Sequence, residues 1–264
     1  MLHFTKMQGL GNDYLYVYGN VPENIKDIST SLSDRHFGAG ADGMIFISPS
    51  TVADFSMRIF NADGSEAKMC GNGIRCVGKY VYDKGYTDKT RLKIETLSGI
   101  RNLKLNVLGG RVKTVTVDMG QAKAENKKTA LIDGEKITYT PVNVGNPHAV
   151  IFVNDTQSVS VNTLGQKFQK LEDFPCGVNV EFAQIIDENN IRMRVFERGS
   201  GITMACGTGA CATVVAAEKH GLVKTNSPVY VTLDGGKLEI TVSDQNTVTM
   251  TGPAKTVYEG EAVL

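Results

Sequence analysis

Two short segments hold the residues best suited to chemistry: Met69-Cys70-Gly71-Asn72-Gly73 and Ala205-Cys206-Gly207-Thr208-Gly209. In each, a cysteine directly precedes a glycine-rich turn, and the residues after the turn read as a helix. The spacing predicts one helix from Gly73 to Lys84, with Ile74, Val77, Tyr80 and Val81 on one face and Gly85 as its stop. It predicts another from Gly209 to His220, apolar nearly all round and closed by Gly221. The first N–H groups of a helix have no partner within it, and its dipole is positive at that end. A cysteine there should favour its thiolate, with a pKa below the free value of about 8.5. The same N–H groups can hold a carboxylate, and the glycines let the backbone approach it. Two such turns facing one another would place a thiol on each side of a single carbon. One thiolate would take an α-proton and the other thiol would deliver one to the opposite face, inverting the centre. The N–H donors would stabilise the charge that develops on the carboxylate. This is the chemistry of a racemase or epimerase that needs no cofactor.

The elements that must position these turns are themselves repeated. Aligning Cys70 with Cys206, at an offset of 136 residues, sets Arg58 and Phe60 on Arg194 and Phe196, Gly71 and Gly73 on Gly207 and Gly209, and Gly85 on Gly221. Gly11-Asn12 matches Gly145-Asn146 at an offset of 134, and residues 40–42 (GAD) match 177–179 (GVN) at 137. Three landmarks in one order indicate two copies of one unit, with chance similarity as the alternative. Period-two patterning in RLKIETLSGI, KLNVLGGRVKTVTVDMG and PVYVTLDGGKLEITVSDQNTVTMTG predicts strands and hairpins. Further helical patterns run from Asn24 to Phe37 and from Thr163 to Glu172. The expected fold is therefore α+β, with two similar halves each pairing strands with a buried helix. The polar stretch 120–136 marks the boundary, giving halves of 1–119 and 120–252. The segment 253–264 is expected to return to the first half as a strand.

Composition narrows the classes. Lysine plus arginine equals aspartate plus glutamate at 28 each, so no net field draws the chain to nucleic acid or an anionic membrane. No apolar run reaches the roughly 18 residues of a membrane span, and Lys6, Gly9, Gly11 and Asp13 interrupt any signal-like core. The expectation is a soluble cytoplasmic protein. Five cysteines without an export signal argue against a disulfide framework. Cys70, Cys76, Cys206 and Cys211 could form a Cys₄ zinc site, but the second cysteine of each motif falls well inside its helix, where convergence is difficult. Cys76, Cys176 and Cys211 read better as small apolar fillers. A disulfide between Cys70 and Cys206 would be an oxidised, inactive form.

NADGSEAKMCGNGIRC (61–76) and ERGSGITMACGTGACA (197–212) resemble the two signature segments of the diaminopimelate epimerase family. GNDYL (11–15), GNPHAV (145–150) and GVNVEF (177–182) resemble its other motifs, so the likeness runs from end to end. The resemblance implies interconversion of LL- and meso-2,6-diaminopimelate, for lysine and peptidoglycan precursors, without pyridoxal phosphate or metal. It implies a fold of two pseudo-symmetric halves, each a barrel-like, mostly antiparallel sheet around a central helix, with the active site between them. Cys70 and Cys206 would be the acid–base pair. Gly71-Asn72 and Gly207-Thr208 would hold the carboxylate at the reacting centre. Asn12, Asn61, Asn146, Asn179 and Arg198 would contact substrate, mainly its unreacting end. His148 and Glu197 would tune the thiols or bind the amino group, and Tyr258 would make a contact in a homodimer.

These polar residues also make sense chemically. The substrate has two ammonium and two carboxylate groups. Arg198 can pair with the far carboxylate bidentately, Glu197 can pair with an ammonium, and asparagine supplies both donor and acceptor. Alone, a Gly-Asn pair is more often only a turn, and Glu197-Arg198 more often a solvated surface pair. Their place before Cys206, aligned with Asn61-Ala62 before Cys70, favours a role. His3, His36 and His220 are given none, and His220 reads as a surface residue or a terminal cation. Many family members carry glutamine where this chain has Gly43, so that side-chain contact is absent. Related racemases acting on proline carry histidine at the place of Asn72. A racemase for another amino acid, a zinc-stabilised interaction module and a degenerate small-molecule binder are the alternatives.

Overall fold

Alternating strands dominate the chain, and four helices interrupt them among the described residues: α1 Ile25–Ser33, α2 Gly71–Asp83, α3 Val161–Phe168 and α4 Gly207–Lys219. The computed structural model describes residues 1–263. It divides into two compact units, one of Met1–Val117 with the segment from Gly252 onward, the other of Asp118–Thr251.

Within the first unit, Leu2–Gly9 pairs antiparallel with Asn12–Tyr18, which pairs parallel with Gly43–Pro49. Gly43–Pro49 pairs antiparallel with Phe55–Asn61, then Phe55–Asn61 parallel with Arg91–Thr96, and Arg91–Thr96 antiparallel with Gly99–Leu108. The second unit repeats that series. Glu135–Asn143 pairs antiparallel with Pro147–Phe152, and that strand pairs parallel with Asn179–Asp187. Asn190–Glu197 comes next, antiparallel, then Val229–Leu233 parallel to it, and Gly236–Val242 antiparallel again. In both units a helix links the two parallel strands of the first such pair, and a second helix links those of the next, as parallel connections require. The strand Lys255–Ala262 returns to the first unit, pairing antiparallel with Leu2–Gly9 from Leu2↔Ala262 to Gln8↔Lys255.

The core obeys the period-two pattern. Leu15, Val17, Met44, Phe46 and Phe60 meet Ile25 and Ile28 of α1 in the first unit. Val180, Phe182 and Phe196 meet Val161 and Phe168 of α3 in the second. Every residue of α4 from Gly207 to Ala217 except Thr208 is buried, and strands lie around the helix on several sides. Helices α2 and α4 each start two residues before the predicted first residue because the cysteine, not the second glycine, sets the start. Gly85 and Gly221 take left-handed φ of +79° and +64° and stop the helices as expected. Helix α1 ends at Ser33, four residues short of the predicted Phe37, because Asp34 turns extended and its carboxylate captures the N–H groups of His36 and Phe37. Helix α3 runs Val161–Phe168 rather than Thr163 to Glu172.

Glu218, near the end of α4, has a buried Oε1 with no hydrogen-bond partner, and burial pushes its carboxyl up to about 7 from 4.5. A raised folded-state pKa means that the stabilising contribution is complete below pH 4.5 and is lost as pH rises to about 7. We expect Glu218→Gln to stabilise the protein at pH 8 by about 1 kcal/mol, after discounting for partial exposure, and to change little at pH 4. Urea midpoints at the two pH values check this; an equal shift at both would exclude the linkage.

Candidate active site

Both signature cysteines are the N-caps of their helices. Cys70 is extended (φ −137°, ψ 116°), and its sulfur accepts the Gly73 N–H at 3.3 Å. Cys206 does the same (φ −118°, ψ 112°) with the Gly209 N–H at 3.4 Å. Sulfur thus takes the place of the usual hydroxyl or carboxylate cap. The second glycine of each motif is closely packed by a side chain from a neighbouring strand. A Cβ on Gly73 would lie 2.7 Å from Ile45 Cδ1, and one on Gly209 would lie 2.6 Å from Glu181 Oε1.

Around Cys70 the first unit builds an amide and phenol environment. The thiol donates to Asn12 Oδ1 at 3.3 Å, and Asn12 Nδ2 donates to Asp42 Oδ2 at 2.7 Å. Arg35 bridges Asp42 and Asp13, and Lys6 lies 2.9 Å from the far oxygen of Asp13. Burial raises the Asp13 carboxyl, but Arg35 and Lys6 together outweigh it and hold the group below its ordinary value. Burial first, and the nearby Cys70 second, push the Tyr14 phenol well above its usual range. Beneath the turn, the fully buried Arg75 donates to Gly71 O, to Asn72 Oδ1 and, from Nε, to Pro253 O at 3.2 Å. Asn61 Nδ2 donates to Ser65 Oγ at 3.0 Å.

Around Cys206 the second unit places charge. Burial most of all, then the carboxylates of Glu197 and Glu181, push this thiol well above its ordinary value. The Thr208 hydroxyl and the Gly209 N–H oppose that shift without overcoming it. The sequence expectation of a lowered thiol pKa is therefore corrected at Cys206. One helix N-terminus is worth less than removing the sulfur from water beside two carboxyl groups. Glu197 is itself raised, chiefly by burial, although hydrogen bonds from Thr203 and Cys206 pull it back. His148 and Glu181, both wholly buried, meet at 2.7 Å between Nδ1 and Oε1.

The remaining predicted residues divide by unit. Asn146, His148, Asn179, Glu197, Thr208 and Gly207 gather near Cys206. Asn179 Oδ1 accepts the Arg198 N–H at 2.9 Å, and the exposed Arg198 side chain donates to Cys176 O. Asn12, Gly71 and Asn72 gather near Cys70. The Asn72 side chain is buried and its oxygen accepts from Arg75. Cys76 and Cys211 are buried in their helices, but Cys176 is exposed and is no filler. His220 is a partly buried hydrogen-bond partner of Thr140 Oγ1 at 2.8 Å, and burial lowers its pKa, so it is not a terminal cation. The Tyr258 phenol donates to Ala39 O at 3.0 Å and stands edge-on to Phe4. Gly43, with φ +154°, approaches so near that a Cβ would lie 2.2 Å from Phe60 O, which explains glycine here.

Sequence reasoning passed over Glu181, Asp42, Tyr14 and Arg75. The signal for Glu181 was present as one carboxylate inside the apolar strand NVEFA. Arg75 gave none, since an arginine on a helix reads as solvated.

The family model described as diaminopimelate epimerase matches residues 4–125 and 140–257. A diaminopimelate epimerase from Methanococcus maripaludis is 49% identical over 98% of this chain and 99% of its own. One from Phocaeicola vulgatus is 50% identical over 98% of each. Among solved structures, a phenazine biosynthesis protein of the PhzF family from Bacillus anthracis shares the fold at a TM-score of 0.79, with 16% identity over 100% of this chain and 99% of that one.

Proposed function

Because the chain belongs to the diaminopimelate epimerase family, we propose that it interconverts LL- and meso-2,6-diaminopimelate by proton transfer at one α-carbon, with no cofactor. The observation that carries this reading is the pair of cysteine N-caps, each with its own helix N-terminus, in a chain that matches the family nearly end to end. Cys70 and Cys206 act on opposite faces of the α-carbon, and the reacting carboxylate rests on the N–H groups of Gly71-Asn72 and Gly207-Thr208. Cys206 begins as the acid, since burial and its carboxylate neighbours keep its proton on. Cys70 is then the base in the LL to meso direction. As the proton leaves, negative charge grows on the carboxylate and is met by the helix dipoles. The α-ammonium falls to Glu197, with Asn146 and His148 beside it, while Arg198, Asn61, Asn12 and Asn179 serve the unreacting end.

In this reading the enzyme acts in the cytoplasm, in lysine and peptidoglycan precursor synthesis, as a homodimer that includes Tyr258. Exposed Val257 and Tyr258 on the strand Lys255–Ala262 support the dimer. No helix among the described residues is long and apolar enough to cross a membrane. The deciding experiment incubates reduced protein with LL-diaminopimelate in heavy water and tracks the α-proton by NMR. Loss of that signal with appearance of the meso isomer is expected. A folded, reduced protein that neither exchanges nor inverts the substrate would overturn the reading.

A further inference from the structure

Resting on that reading, we propose that Glu181 is a positioning residue for the reaction: it holds the His148 ring so that a chain of donors through Asn146 and Thr208 ends on the Cys206 sulfur. The chain is continuous. Glu181 Oε1 lies 2.7 Å from His148 Nδ1, and His148 Nε2 lies 3.0 Å from Asn146 Oδ1. Asn146 Nδ2 donates to Thr208 Oγ1 at 3.4 Å, and Thr208 Oγ1 lies 3.5 Å from Cys206 Sγ. His148 Nδ1 faces the Glu181 carboxyl and Nε2 faces Asn146, so the carboxyl sets the orientation of the ring. From Asn146 on the links run toward the sulfur: Asn146 Nδ2 donates to Thr208 Oγ1, which leaves that hydroxyl's own proton to face Sγ. That direction supports the thiolate that remains when Cys206 gives up its proton. It does so without a charged donor in contact with the sulfur.

The repeat shows that the fold does not need a carboxylate at this place. Phe46↔Arg58 and Phe182↔Arg194 are equivalent cross-strand pairs at a common offset of 136. In that register Glu181 corresponds to Ile45. The two side chains occupy the same place, each against the second glycine of its motif, and both are wholly buried. The first unit fills the space with an aliphatic side chain; the second takes a carboxylate, with the desolvation that burial of a charge entails. Its other oxygen, Oε2, is buried with no hydrogen-bond partner. A residue chosen for packing alone would not be this one. Glu197 and His148, the other titratable groups facing Cys206, are already occupied in the substrate reading, which leaves Glu181 as the group whose only contact with the thiol is electrostatic and through the chain.

Glu181→Gln keeps the shape and an acceptor but replaces the carboxyl that holds the ring. We expect kcat to fall by about 10- to 100-fold with KM within about twofold of the parent value, a split that a loss of packing would not give. ¹⁵N NMR of His148 without substrate should show a proton on Nδ1, the nitrogen that faces Glu181, in the parent. Glu181→Ile, copying Ile45, should fold and lose at least as much turnover. Parent-like kcat in either folded variant would overturn the proposal. So would a parent ring with no proton on Nδ1, a measurement that stands even if neither variant folds. Parent turnover of diaminopimelate is measured first. An inactive parent would sink the functional reading, whereas an active parent with an active Glu181→Gln would sink this inference alone.

Discussion

Cys70→Ala and Cys206→Ala should each lose at least about 10³-fold in kcat for full epimerisation while remaining folded. Positioned general acid–base groups contribute about 10² to 10⁴ each, and inversion needs both in one turnover. The two variants should nonetheless differ in heavy water. With Cys206 removed, Cys70 can still take the α-proton of the LL isomer and return deuterium to the same face, so slow washout without inversion is expected from that isomer. With Cys70 removed, washout should instead come from the reacting centre of the meso isomer. NMR of each isomer with each variant reads this directly. Washout of both isomers by one variant would break the two-base assignment, and full epimerisation by either would end it. A stability change of about 1 kcal/mol is also expected from each alanine, because the sulfur is the helix cap and the Gly73 or Gly209 N–H loses its acceptor.

Arg75→Ala should be the most damaging change to the first unit, at about 3–5 kcal/mol of stability. A side chain that is wholly buried would be replaced by a void, and charge-assisted hydrogen bonds to Gly71 O, Asn72 Oδ1 and Pro253 O would be lost together. Those three partners are the two residues after Cys70 and the entry to the strand Lys255–Ala262, so turnover should fall with stability. Arg75→Met, which refills most of the volume, should recover part of the loss. Urea unfolding monitored by fluorescence and circular dichroism measures both. A cost below about 1 kcal/mol for the alanine variant would mean that the guanidinium is not what fastens the turn.

The sequence was most informative where a local rule governed. Cysteine before glycine, glycine at the helix stop and strict alternation along strands each dictate local geometry, and those features sit where expected. The duplicated pairing series was legible for the same reason, since Phe60 and Phe196 or Gly73 and Gly209 keep one offset. What was hidden depended on depth. The helix-start argument gave a lowered thiol pKa because sequence shows the dipole but not the burial, and at Cys206 burial prevails. Arg75 was unreadable because charge in a sequence suggests water, and only packing reveals that it lies at zero exposure, as Glu181 does within its apolar strand. The GAD and GVN segments aligned at 137, whereas the strands after them keep 136, because one residue of slippage in a loop leaves no mark on composition. His220 does stand at the end of α4, but Thr140 holds its ring there.

The pairing of Leu2–Gly9 with Lys255–Ala262 has a consequence for how the chain is made. The strand Leu2–Gly9 leaves the ribosome well before its partner, which emerges nearly the whole length of this sequence later. At roughly 5–20 residues per second, that is a wait of about 10–50 s. Throughout it, one edge of Leu2–Gly9 has Asn12–Tyr18 beside it and the other offers unpaired backbone to any extended segment nearby. The second unit is continuous in sequence and can finish first. The nascent protein is therefore most open to wrong strand pairing along Leu2–Gly9, and a slower ribosome lengthens that exposure.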